Sequence, residues 1–176
     1  MFLALAAVIW IGWREKVIRL ELFVDPAAWW IDLGAGVAGG LLLVGLWRLA
    51  ASRFAVARSL ESRLGGLLGS LTRAEVLALA VISGLAEELF FRGAVQGSWG
   101  YGWATALFAL LHTGREPALR FWTLFALVAG ALFGGLMLWR GNLLAPIAAH
   151  FVVNAVNLGR IAVAPAAPAV EGDLPG

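Results

Sequence analysis

The sequence predicts an all-α fold, a polytopic transmembrane bundle of about five or six helices, and three observations carry that prediction. Hydrophobic residues make up 61% of the 176-residue chain and charged residues 14%, against about 45–50% and about 25% in ordinary soluble domains. A soluble domain of this size cannot hide so much apolar surface, so the solvent of this chain must itself be apolar. Four runs, 27–51, 74–99, 119–139 and 143–163, supply the roughly 20 apolar residues a helix needs to cross a bilayer. Nine Trp stand beside one Tyr. Of these, Trp10, Trp13, Trp29, Trp30, Trp99, Trp103, Trp122 and Trp139 fall near the ends of apolar runs, where an amphipathic ring sits at headgroup depth.

Taken in order, the run 2–13 would extend only about 18 Å as a helix, short of a span. No basic residue precedes it and no clear small-residue cleavage site follows, so a signal peptide is the weaker reading. The run 27–51 holds Gly36 and Gly40, a G-x-x-x-G pair that lets helix backbones approach closely in lipid. Before the run 74–99, Thr72 and Glu75 form a capping box that fixes where the helix starts. A shorter run, 101–112, reads as a half-span or as a helix continuing across a turn at Gly100 and Gly102. The run 119–139 carries a second pair, Gly130 and Gly134, and 143–163 completes a single transmembrane domain over 1–163. The Pro/Ala-rich stretch 164–176 reads as a disordered tail.

Charge sets topology and excludes other classes. The net charge of +2 rests on 12 Arg and one Lys gathered in short connections, which reads as a membrane topology signal and gives no nucleic-acid surface. Arg48, Arg53, Arg58, Arg63 and Arg73 flank one connection, which the positive-inside rule places in the cytoplasm. Threading six segments from there puts Arg115, Arg120 and Arg160 on the same side, and Arg14, Lys16, Arg19 and Arg140 on the other. With no Cys there is no disulfide, thiolate metal site or cysteine nucleophile. Abundant Ala, Gly and Arg with a single Lys point to a GC-rich prokaryotic source, and so to the inner (cytoplasmic) membrane.

The residues that carry chemistry sit where hydrocarbon should be. Glu87, Glu88 and Arg92 lie in the second half of an apolar helix, where each would cost on the order of 2.5–3.5 kcal/mol if it faced lipid. They must therefore face protein or water. Glu88 and Arg92 are four apart and pair along the helix, while Glu87 is rotated by about 100° from Glu88. Ala80, Ser83 and Gly84 form a small-residue stripe beside Glu87 that would admit a neighbouring helix. Glu87 is thereby expected to face the interior.

Both His of the chain, His112 and His150, sit in apolar helices. Asn154 and Asn157 follow His150 at helical spacing, so three polar groups stack on one face and need partners. Glu87, Glu88 and His112 are the available ones, and bringing three helices together would satisfy every group at once. A carboxylate and an imidazole can activate water as a general base, and a second His with an Asn can donate to the oxyanion formed from a carbonyl. The competing reading, a buried polar staple without chemistry, fits the Glu87–Arg92 segment but leaves the His150 face unexplained.

E-E-x-x-x-R (Glu87, Glu88, Arg92), F-x-x-x-H (Phe108, His112) and H-x-x-x-N (His150, Asn154), in that order on successive helices, resemble the three signature motifs of the CAAX-prenyl-endopeptidase, or Abi/CPBP, family. The resemblance covers 87–154. It implies an intramembrane endopeptidase in which Glu87 and His112 activate water, His150 and Asn154 stabilise the oxyanion, Glu88 and Arg92 support them, and Phe108 packs beside the site. Asn157 joins the supporting set from its place on the His150 face. The implied partners are membrane lipid and a membrane-associated protein or peptide substrate, with no nucleic acid; a prokaryotic source speaks against a prenylated one. No cofactor is favoured: Glu87, His112 and His150 would make an acceptable zinc set, but the chain has no H-E-x-x-H and a metal-free glutamate mechanism accounts better for Asn154. The rivals are a proton-coupled transporter, against which the lack of paired repeats counts, and a non-catalytic scaffold of the same fold.

Overall fold

The computed structural model describes residues 2–162, and the expected tail 164–176 lies outside them. The described chain is all-α, with no strand among the described residues. In order it forms α1 (Phe2–Glu15), a 3-10 turn (Leu20–Leu22), α2 (Trp29–Arg53), α3 (Ala55–Leu68) and α4 (Arg73–Glu88). A π-helical segment (Leu89–Gln96) prolongs α4, followed by α5 (Gly97–Trp99), α6 (Tyr101–Leu111), α7 (Pro117–Arg140) and α8 (Leu144–Ala162). The helices α2, α7 and α8 are each long and apolar enough to cross a membrane, and their lipid-type faces carry exposed Leu41, Leu42, Leu124 and Leu138.

Each element follows from local chemistry. At the start of α4, Thr72 Oγ1 accepts from the Glu75 amide at 3.3 Å while Glu75 Oε2 accepts from the Thr72 amide at 2.8 Å, the reciprocal cap expected there. Hydropathy gives no sign of α3, because it lies in the Arg-rich connection. Its apolar side, Ala57, Leu60 and Leu64, packs on Trp47, Ala51 and Ala118, and its other side stays exposed. Phe54, with extended backbone (φ −116°, ψ 122°), separates it from α2.

The bundle is centred on α8, which packs most extensively on α2 and then on α4. Small residues make that approach possible. A Cβ on Gly36 would run into the Ala145 carbonyl, and one on Gly40 would lie 2.7 Å from both the Ala149 oxygen and the Val152 Cβ. Gly40→Ala is therefore expected to destabilise the bundle by about 1–3 kcal/mol. Gly45→Ala on the same helix, where nothing lies within 4 Å, should cost nothing; thermal unfolding of the two variants in detergent checks the contrast.

Polar ties close both ends. At one end Glu61 of α3 accepts from Trp47 Nε1 at 2.9 Å and from Arg160 at 3.4 Å, and Arg63 pairs with Glu116 at the start of α7. The Arg-rich connection, the 113–116 loop and the end of α8 thus share one end of the bundle, as the threading requires. At the other end buried Asp32 binds Arg140 and accepts from Asn142 Nδ2 at 2.8 Å. Six of the eight Trp expected at interfaces are exposed: Trp13, Trp29, Trp30, Trp99, Trp103 and Trp139. Trp10 packs edge-on against Trp99 and Phe90. Trp122 departs furthest from expectation, for it turns inward onto the site.

Candidate active site

A cavity of about 430 Å³ lies between α3, α4, α6, α7 and α8. Glu87, Phe108, His112, His150 and Asn154 line it, amid an otherwise largely apolar wall. Exposed Leu67 of α3 and Leu79 of α4 mark its mouth.

Because α4 keeps α-helical geometry through Glu88, the adjacent Glu87 and Glu88 side chains diverge. Glu87 turns toward the end of α6 and retains 22% side-chain exposure, whereas Glu88 is fully buried. His112 is the residue that ends α6, just beyond Leu111, rather than a residue within the helix. From there its ring folds back so that Nδ1 lies 2.7 Å from the Phe108 carbonyl oxygen. A carbonyl only accepts, so Nδ1 carries the proton and Nε2 of the neutral ring is left as an acceptor. Nε2 lies 3.9 Å from Glu87 Oε2, an atom that is buried without a hydrogen-bond partner. Thr123 Oγ1 shares its one hydrogen between the Leu119 carbonyl at 2.9 Å and the His112 carbonyl at 3.1 Å, and Trp122 meets the imidazole edge-on with centroids 5.1 Å apart.

The second half of the site hangs on Glu88. Its Oε1 accepts from Arg92 at 3.0 Å and lies 2.7 Å from His150 Nδ1, so the expected pair within the helix also orients an imidazole. Arg92 donates onward to the Gly130 carbonyl at 3.0 Å and lies over the Phe108 ring at 4.6 Å and the Phe133 ring at 5.3 Å. Phe133 stacks on His150 at 5.0 Å, and Phe108 stands between the imidazoles at 4.6 Å from His112 and 6.1 Å from His150. Asn154 Nδ2 donates to Ser83 Oγ at 2.9 Å, and Ser83 donates to the Leu79 carbonyl at 2.7 Å. The small-residue stripe does admit a neighbour: a Cβ added at Gly84 would lie 3.5 Å from the Phe151 amide nitrogen and 3.7 Å from His150 Cβ and Cγ.

Two expectations need correction. The convergence of three helices does not satisfy every polar group, for Glu87 Oε2, Glu88 Oε2, Arg92 Nε and Asn157 Oδ1 remain buried without partners. Adjacent carboxylates on one helix cannot meet the same neighbour, so Glu87 goes to His112 and Glu88 to His150. Asn157 shares a face with His150 but does not line the main cavity; it borders a smaller one beside it. Sequence reading also missed Ser83, Trp122, Thr123 and Phe133 as orienting residues, since nothing in local spacing announces such contacts. As for metal, no three His, Cys, Asp or Glu side chains among the described residues are grouped to hold one. Glu87, His112 and His150 as arranged do not fit a zinc set.

No solved structure matches the chain. The Bacillus subtilis (strain 168) protein YpbD, itself uncharacterized, is 37% identical over 83 residues, which cover 46% of this chain and 42% of that protein. The chain therefore spans less than half the length of that relative. The stretch 69–156, half of the chain and containing every motif from Glu87 to Asn154, matches the model of the family described as Type II CAAX prenyl endopeptidase Rce1-like, and the chain belongs to that family.

Proposed function

We propose that the chain is an integral-membrane endopeptidase that hydrolyses a peptide bond of a membrane-associated protein or peptide, with water activated by Glu87 and His112. One observation carries this reading: two acceptors, Glu87 Oε2 and His112 Nε2, face each other at 3.9 Å, and no protein group donates to Oε2. That distance is too long for a direct hydrogen bond, and the pair calls for a bridging group that donates twice. Water does this, and with both hydrogens engaged its lone pairs stay free to attack.

The chemistry then balances as follows. Water adds to the scissile carbonyl carbon and gives a proton to Glu87, while His112 holds the other hydrogen. The carbonyl oxygen becomes an oxyanion that takes hydrogen bonds from Asn154, whose amide has a second hydrogen beyond the one given to Ser83, and from His150 Nε2. Nε2–H is available when the Glu88–His150 pair holds one shared proton, on either partner. Collapse breaks the C–N bond, and Glu87 returns its proton to the leaving amine. Glu88, Arg92 and Phe108 are positioning residues here, holding His150 and backing both rings.

The mouth between Leu67 and Leu79 and the apolar wall favour a substrate that arrives through lipid. The test is cleavage of a membrane-spanning peptide by the purified chain in lipid vesicles, with products read by mass spectrometry. Cleavage is expected, and a strong chelator is expected to leave the rate unchanged. Proton-driven flux of a small solute without cleavage would instead select the transporter, absence of both the scaffold, and chelation losses restored by zinc the metal mechanism.

A further inference from the structure

Beside the main cavity lies a second one of about 120 Å³, equal to about four water volumes and so to the bulk of a small side chain. The two are neighbours with common walls, Leu64, Trp122, Phe125 and Asn154 lining both. Its lining is otherwise apolar, from Leu60, Ile161 and the Trp47 ring, except for Asn157. Asn157 Oδ1 is buried and has no donor. Of the nearby donors, Trp47 Nε1 goes to Glu61 at 2.9 Å and one Asn154 amide hydrogen to Ser83 at 2.9 Å, and none reaches Oδ1. A buried acceptor in this position is a standing penalty that an incoming donor removes.

Asn157 follows Asn154 by three residues, about 4.5 Å of helical rise. A bound extended peptide advances about 3.3 Å per residue, so this cavity lies one or two residues from a carbonyl held by Asn154. We propose that it is a specificity subsite for a small side chain with an apolar body and a single hydrogen-bond donor, of which threonine is the best fit. The inference rests on the endopeptidase reading and adds to it which side chain the enzyme selects near the cleaved bond. The methyl group fills the apolar slot and the hydroxyl donates to Asn157 Oδ1. Valine, the same shape without the donor, leaves that oxygen unpaired, and a site built around a hydrogen bond discriminates against such an isostere.

The experiment uses the full chain in vesicles of phosphatidylethanolamine and phosphatidylglycerol, with membrane-spanning peptides randomised around the cleaved bond. Paired substrates carrying Thr or Val at the selected position are then compared. The wild type is expected to favour Thr by about tenfold in kcat/KM, Asn157→Leu to bring that ratio to about one, and Asn157→Asp, which keeps an acceptor, to preserve it. Equal cleavage of Thr and Val substrates by the wild type, or an unchanged ratio in Asn157→Leu, overturns the subsite and leaves a water-filled void. The wild-type ratio needs no variant, so a folding defect in Asn157→Leu does not shield the proposal. Absence of any cleavage by the wild type removes the endopeptidase reading together with the subsite, whereas cleavage without preference removes the subsite alone.

Discussion

Replacing Glu87 by Gln is expected to lower kcat for a membrane-embedded peptide by about 10²–10⁴-fold, the range that a positioned general base contributes. Gln keeps the shape of the side chain but cannot take a proton from water. Its amide group also donates, so it can pair directly with the His112 acceptor and close the gap that water would fill. The fold should survive, because Glu87 makes no hydrogen bond to the rest of the bundle and its nearest charged-type partner is His112 at 3.9 Å. Steady-state cleavage in vesicles, paired with the thermal midpoint of the same preparation, separates lost chemistry from lost folding. Retained turnover would reject the assignment of Glu87.

The largest effect on stability is expected one residue later. Glu88 and Arg92 are both fully buried, and a buried charge deprived of its partner destabilises by about 3–5 kcal/mol. Glu88→Met leaves Arg92 with the Gly130 carbonyl and three aromatic faces but without its paired carboxylate. The double replacement Glu88→Met with Arg92→Met removes both charges with flexible side chains of suitable bulk, and should recover most of the lost stability. Activity should not return with it, because His150 still lacks the acceptor that orients its ring. Unfolding followed by Trp fluorescence, alongside cleavage rates, reads the two roles separately; recovery of both together would make Glu88 purely structural.

Hydropathy located the long helices because lipid leaves so little choice. Runs read as 27–51, 74–99, 119–139 and 143–163 correspond to Trp29–Arg53, the joined segments over 73–99, Pro117–Arg140 and Leu144–Ala162. The capping box and the Glu88–Arg92 pair were legible for a related reason: both depend on separations of three or four residues along one helix. The π segment Leu89–Gln96 was not. It sits under residues whose side chains reach another helix, with Arg92 and Gln96 donating to the Gly130 and Gly134 carbonyls at 3.0 Å each, and periodicity along one helix carries no record of such ties. The same limit applies to the site. Spacing placed Glu87, Glu88, His112, His150 and Asn154 in the interior, but which imidazole meets which carboxylate depends on how α4, α6 and α8 are arranged, and Ser83, Trp122 and Phe133 acquire their roles only through contacts between helices. Asp32, near the start of α2, is fully buried between Arg140 and Asn142, a role that nothing in its own helix announces.

The claim that one water is shared by a carboxylate and an imidazole is tested most directly by a double-mutant cycle on Glu87→Gln and His112→Ala, read as kcat/KM for a membrane-spanning peptide in vesicles. Groups that act on the same water fail together, so the double variant is expected to be little worse than the poorer single variant. Multiplied losses, as from two independent sites, would contradict the shared water.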